Sequence, residues 1–278
     1  MYDPEPLDDD TPESADPSWE PPEASPEAHR AARTEALVQL ALGISLVAIP
    51  WLALKRVGIY EWVATHAPAW HVPSVVFAQG LTALAAIAIT IRLRKSNLTS
   101  LGLHPLKHRA QAILRGLSIV GITYAFMIPV MLATTLLLQG PAQQAMVQRK
   151  AQSLGVFVRI PMLMVLPCAI MAGVYEEVLV RGFLQSRLAR LFAGAKPLGL
   201  SHKSLAVLLG SLLFALAHLY QGAMGVMQTL LVGLILGTCA TTWRSLWPAI
   251  IAHITIDTIG LLASRYLVPT AQRMIDRS

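Results

Sequence analysis

The sequence predicts an all-α fold: a polytopic transmembrane helix bundle of seven to eight membrane helices with a disordered N-terminal tail. Three observations lead there. Hydrophobic residues make up 54% of the chain and charged residues only 14%, and the mean hydropathy is +0.54. A soluble domain carries about 25% charged residues, because its surface needs them. The second observation is a series of apolar runs, each near the roughly 20 residues a helix needs to cross a bilayer. The third is the placement of charge, which is crowded into the N-terminus and into the links between those runs.

Residues 1–34 form the expected tail. Residues 1–35 hold eleven of the sixteen acids but only two basic residues, Arg30 and Arg33, with many prolines and almost no large aliphatic side chains. Such a segment cannot bury enough apolar surface to offset the entropy of ordering it. Its acidic, proline-rich start also lacks the form of a cleavable signal peptide. A solvated tail is the simple reading, and a regulatory docking segment the other. The rest of the chain is expected as one transmembrane domain over 35–278, and after residue 35 it carries twenty basic residues against five acids, a formal +15. These charges lie between apolar runs and not in one stripe. They therefore suit loops facing anionic lipid headgroups, and nucleic acid is not an expected partner.

The spans fall at about 36–54, 72–91, 112–139, 156–176, 204–221, 223–241 and 246–264. Pro129 is a potential kink in the third. Residues 183–195 place Phe183, Leu184, Leu188, Leu191 and Phe192 on one side, with Arg187 and Arg190 away from that stripe. This pattern predicts a short amphipathic helix in the interface, or part of an eighth helix. With the N-terminus inside, fourteen of the 22 basic residues face the cytoplasm, so the expected topology is N-in and, for seven spans, C-out. Cys168 and Cys239 both sit inside apolar runs and form neither a disulfide framework nor a CxxC motif.

Acids are so scarce after residue 35 that each needs a reason. Glu61 is in a loop and Asp276 at the C-terminus, where solvation suffices. Glu176, Glu177 and Asp257 instead lie in or at the ends of apolar helices. A carboxylate at the centre of a membrane helix costs at least about 2.5–3.5 kcal/mol and usually marks a functional site. In the run Tyr175-Glu176-Glu177-Val178-Leu179-Val180-Arg181-Gly182, Glu177 and Arg181 are spaced i,i+4 and can pair on one face. Glu176 is turned about 100° away and left to face the bundle. An ion pair closing a helix end would also account for this cluster.

Two further constellations lie downstream. Phe214 and His218 stand one turn apart, as do His253 and Asp257, the latter pair preceded by Ser245-Leu246-Trp247-Pro248-Ala249. Alone, each could be a hydrogen bond gluing neighbouring helices. Three in succession, in a chain so poor in polar groups, point to one shared site.

The EExxxR pattern at 176–181, FxxxH at 214–218 and HxxxD at 253–257 resemble the CPBP family. These are the type II CAAX prenyl protease and bacteriocin-processing or abortive-infection membrane proteins, described as intramembrane metalloproteases or glutamic endopeptidases. Gly233, Gly237 and the stretch 245–249 add to the likeness, which covers about 165–262. The resemblance implies an intramembrane endopeptidase. In it Glu176 and His218 would activate a water, Glu177 and Arg181 would shape the site, and His253 with Asp257 would stabilise the oxyanion. An ionised Asp257 cannot donate, which suggests that it orients His253.

A zinc protease motif HExxH and a rhomboid-like GxSG serine are both absent. Glu176, His218, His253 and Asp257 are acceptable metal-ligand types. The family pattern argues against an obligatory ion, however, and no cofactor is expected. The expected partners are the lipid bilayer and a peptide or membrane-protein substrate, reached through a cavity opening towards the cytoplasm. The expected location is a cell membrane, that of the bacterial inner membrane by the tail's composition and the compact size. Two other readings use the same residues. One is an inactive scaffold or immunity protein that binds a peptide or helix in its cavity. The other is a proton-coupled transporter, disfavoured by the lack of an inverted repeat.

Overall fold

A computed structural model of the chain describes residues 26–106, 108–137, 140–194 and 199–275. Among these the regular structure is entirely helical. The elements are α1 (Pro26–Arg56), α2 (Ile59–His66), α3 (Pro68–Leu93), α4 (Arg109–Leu137), α5 (Pro141–Val158), α6 (Met162–Glu177), α7 (Ser186–Leu191), α8 (His202–Ala217), α9 (Gly222–Trp243) and α10 (Trp247–Ile275). Most of the expected tail, residues 1–25, lies outside the described residues. Its last part, 26–34, forms the first turns of α1.

Among the described residues each of the seven apolar runs holds a helix, the fourth run being interrupted at 159–161, but six helices are long and apolar enough to cross a bilayer. The seventh, α8, has 16 residues. At about 1.5 Å per residue it spans roughly 24 Å, short of the ~30 Å hydrocarbon core. It stops because Leu219–Gln221 tightens into a 3₁₀ turn and Gly222 then adopts φ 75°, starting α9 in a new direction. The multi-pass membrane class therefore holds, with six full-length spans among the described residues in place of seven or eight.

The expected interfacial helix at 183–195 is not a separate element. Helix α6 runs on through a π-helical segment, Val178–Gln185, into α7, so that Met162–Leu191 is one continuous apolar rod of 30 residues. Each i→i+5 turn takes up an extra residue and rotates the side chains beyond it. Arg187, placed outward by a 3.6-residue period, is thereby turned inward and is fully buried. There its Nε donates to Gln39 Oε1 of α1 (2.8 Å) and its Nη1 to Ser186 Oγ (2.7 Å). The continuity also moves Glu176 and Arg181 from the inner end of a span to its middle, which removes the basis for expecting a cytoplasmic opening beside them.

This rod is the axis of the bundle. In its most apolar window 44% of residues are buried, against 11% for α1. Helices α3 and α10 pack on it, α10 also meets α4 and α5, and α8 lies against α9. Ile87, Ile119, Val178, Phe183, Leu236, Leu246 and Ile250 form the apolar centre. The outer faces carry exposed leucines and isoleucines such as Leu132, Leu163 and Ile170, as lipid-facing surfaces do. Two elements escaped the hydropathy reading. One is α2; the other is α5, a polar helix that packs against α9 and α10 and is tied to α9 by Lys150 Nζ donating to Gln228 Oε1 (2.8 Å). Desolvation holds the Lys150 ammonium below its usual pKa.

The approach of α6 to α10 sets the distance across the site. A Cβ on Gly173 would lie 2.6 Å from Ile254 Cγ1 and 3.0 Å from the Ile254 backbone nitrogen, so the crossing requires glycine. Gly173→Ala is expected to cost about 1–3 kcal/mol by overpacking. Gly121→Ala, with nothing within 4 Å of the added carbon, should cause no loss and a gain of up to about 1 kcal/mol from the better helix former. Thermal unfolding in detergent, followed by circular dichroism, checks both.

Candidate active site

Three stretches of chain converge on the middle of the rod. Glu177 and Arg181 are almost wholly buried, with side chains 0% and 1% exposed, and Arg181 Nη1 donates to Glu177 Oε1 at 2.7 Å. The guanidinium also points Nη2 at the Gly233 carbonyl of α9 (3.4 Å) and lies 4.5 Å over the Phe214 ring of α8. A buried cation survives only with its charge matched and its donors occupied, and these three contacts supply that. One turn further on, Gln185 Nε2 donates to the Gly237 carbonyl (3.2 Å) and to Thr241 Oγ1 (2.8 Å). Gly237 lets α9 come close to Gln185 of the rod, where a Cβ would lie 2.9 Å from its Oε1, while Gly233 makes room for Ser211 of α8.

The same Glu177 oxygen accepts a hydrogen bond from His253 Nδ1 of α10 at 2.7 Å. An ionised carboxylate can only accept, so Nδ1 carries the proton and Nε2 is the nitrogen left for other chemistry. Nε2 faces Glu176 Oε2 and Asp257 Oδ2, each at 3.6 Å. Both distances exceed a hydrogen bond and are of a length that a bridging group can shorten. At hydrogen-bond distance His253 is held by Glu177, 76 residues away in sequence, and not by Asp257, because Nδ1 and not Nε2 is the nitrogen so held.

Glu176 is partly open, with 16% of its side chain exposed. Its other oxygen, Oε1, accepts the hydroxyl proton of Tyr175 at 2.9 Å. Asp257 is the most open of the set at 34%. His218, at the C-terminal end of α8, donates Nδ1–H to the Phe214 carbonyl (2.8 Å), which leaves its Nε2 available. Among the described residues no hydrogen bond or ion pair joins His218 to the other five. Phe214 links them instead, its ring edge-on to His218 (4.7 Å between centroids) and to His253 (6.0 Å).

All six residues singled out in the sequence, Glu176, Glu177, Arg181, His218, His253 and Asp257, thus line one region. Five are in direct polar contact or face one another, and His218 adjoins through an aromatic wall. Sequence reasoning passed over the donor role of Tyr175. Its signal was a phenol beside a carboxylate in an apolar helix, a position where the hydroxyl needs a partner. Among the described residues no three His, Cys, Asp or Glu side chains converge as ligands of one ion. His253 Nδ1 and His218 Nδ1 are both committed to hydrogen bonds within the protein.

Residues 158–259 match the family model described as Type II CAAX prenyl endopeptidase Rce1-like. The motif-bearing segment is similar to this family. The match bears out the CPBP resemblance read from the three motifs and spans α6 to the middle of α10, the elements that carry all six residues. The match supports, at the level of the family, a CAAX-protease-like intramembrane endopeptidase, and the six long apolar helices make this a multi-pass membrane protein. No curated protein and no solved structure matches the chain.

Removing one partner of a buried pair leaves the other charge uncompensated, typically at about 3–5 kcal/mol. Arg181→Met is expected to destabilise the protein by that order. The double variant Glu177→Gln/Arg181→Met, which removes both charges, should recover a large part of the loss. Midpoints of thermal unfolding in one detergent rank the three proteins.

Proposed function

We propose that this protein hydrolyses a peptide bond within the membrane, with Glu176 as general base and His253 as the donor facing the developing oxyanion. The observation that carries this reading is the arrangement around His253. Its Nδ1 is held by the Arg181-paired Glu177, while its Nε2 is aimed at the gap bounded by Glu176 and Asp257.

In the step envisaged, Glu176 Oε2 takes a proton from a water beside it, and the hydroxide so formed attacks the scissile carbonyl. The C–N bond then breaks as Glu176 returns the proton to the departing amine nitrogen. His253 in its imidazolium form, with Glu176, Glu177 and Asp257 around it, offers Nε2–H to the oxyanion. His218 presents Nε2 from the α8 side and helps to hold the water. Glu177 and Arg181 touch neither substrate nor water; they fix His253 and the α6–α9 spacing. The substrate class that suits a half-buried carboxylate between apolar helices is an extended peptide or an unwound stretch of a membrane protein. By composition and size the setting is a bacterial inner membrane.

Purified protein in liposomes and its variants supply the test. Termini of peptides that differ between cells expressing the wild type and Glu176→Ala identify the cleavage site, and an internally quenched peptide built on that site measures the rate. General-base catalysis is worth about 10²–10⁴-fold. Glu176→Ala and His218→Ala are each expected to lose at least about 100-fold in kcat while unfolding at the wild-type temperature. Full activity in either variant rules out this mechanism. Glu176→Gln distinguishes a hydrolase, which it inactivates, from a scaffold or immunity protein, whose cellular role it should leave intact.

A further inference from the structure

We infer that Tyr175 is a positioning residue for the Glu176 carboxylate, and that Gly80 of α3 is the seat that holds its ring in place. This rests on the reading of Glu176 as the base.

Successive residues of a helix project about 100° apart. A hydrogen bond between neighbours therefore forms only if one side chain lies back around the helix surface. Tyr175 does so, and its hydroxyl donates to Glu176 Oε1 at 2.9 Å. The ring is held there from outside the rod. Gly80 is buried in α3 against it, and a Cβ at that position would come within 2.9 Å of Tyr175 Cδ1 and 2.6 Å of Met171 Sδ. Helix α3 thus lacks a side chain at the point where Tyr175 and Met171 need the space. Two independent features, a hydrogen bond and a close-packed seat, converge on one orientation.

The consequence falls on the other carboxylate oxygen. A glutamate has three rotatable bonds, and a carboxylate at a partly open site has many orientations available. Binding Oε1 to the phenol leaves Oε2 as the oxygen that faces His253 Nε2. The hydroxyl therefore selects which oxygen receives the proton and where it stands. The effect runs from α3 through Tyr175 to Glu176, so an element carrying none of the six motif residues takes part in the site.

The test uses full-length protein in liposomes and the same internally quenched peptide. Tyr175→Phe keeps the ring and removes the hydroxyl; it is expected to lower kcat about 10- to 100-fold, the scale of a misplaced reacting group, with KM changed less than about twofold. Gly80→Ala should lower kcat in the same way by displacing the ring. In the Tyr175→Phe background it should have little further effect on kcat, because both changes act through one hydrogen bond. Thermal unfolding of Tyr175→Phe close to that of the wild type shows that its fold is intact. Wild-type kcat in Tyr175→Phe, a loss carried by KM alone, or additive effects of the two substitutions would each overturn the inference. If the wild type cleaves while Glu176→Ala is inactive and Tyr175→Phe is fully active, the inference alone falls. If the wild type itself cleaves no peptide, the hydrolase reading falls with it.

Discussion

One shared oxygen, Oε1 of Glu177, organises the centre of this molecule. It accepts a hydrogen bond from Arg181 on its own helix and another from His253 on α10, each at 2.7 Å and out of reach of solvent. A charge in that position is tolerable only when it is neutralised, and Arg181 does so at Oε1, while Oε2 is buried without a hydrogen-bond partner among the described residues. The pairing lets α6 continue through the bundle instead of ending where the charges begin. It ties α10 to α6 through a histidine and α9 to the same rod through the Gly233 carbonyl. Three helices are thus located by one carboxylate.

The two adjacent glutamates owe their different environments to helix geometry. A rotation of about 100° separates a side chain buried between α6, α9 and α10 from one that faces a partly open gap. Glu177 is taken up in bonds to Arg181 and His253, while Glu176 keeps 16% of its side chain exposed. Around them the protein supplies aromatic walls and not further charge. Phe214 stacks beneath the Arg181 guanidinium and lies edge-on to both histidines. Such walls keep the local dielectric low, and electrostatic interactions among the few charged groups are correspondingly stronger than in water.

The π-helical segment plays a comparable part for the C-terminal half of the rod. By taking up extra residues between Val178 and Gln185 it turns Arg187 onto a face that a regular α-helix would not give it. Arg181 and Gln185 then reach the backbone of α9, and Arg187 reaches Gln39 of α1. The close helix crossings at Gly173 and Gly80 complete the frame by setting how near α10 and α3 come. The site is therefore defined by spacing between helices as much as by the residues that line it.

Hydropathy alone located all seven apolar helices, because lipid demands unbroken apolar runs and leaves little room for alternatives. Scarcity of charge likewise singled out Glu176, Glu177, His253 and Asp257, since an ionisable group in a membrane span needs a reason. The i,i+4 spacing of Glu177 and Arg181 even foretold their pairing, a local contact that one helix settles by itself. The features that remained hidden depend on packing between segments distant in sequence. The short α8, the continuous α6–α7 rod and the burial of Arg187 arise from a turn and a π-helical segment that hydrophobic periodicity does not encode. The Glu177–His253 bond spans 76 residues, and no local pattern says which carboxylate His253 will choose. Composition and motif spacing thus determined the membrane class and the identity of the polar residues. Tertiary structure decided their partners, because a hydrogen bond between helices exists only once the helices have been brought to a fixed distance and rotation.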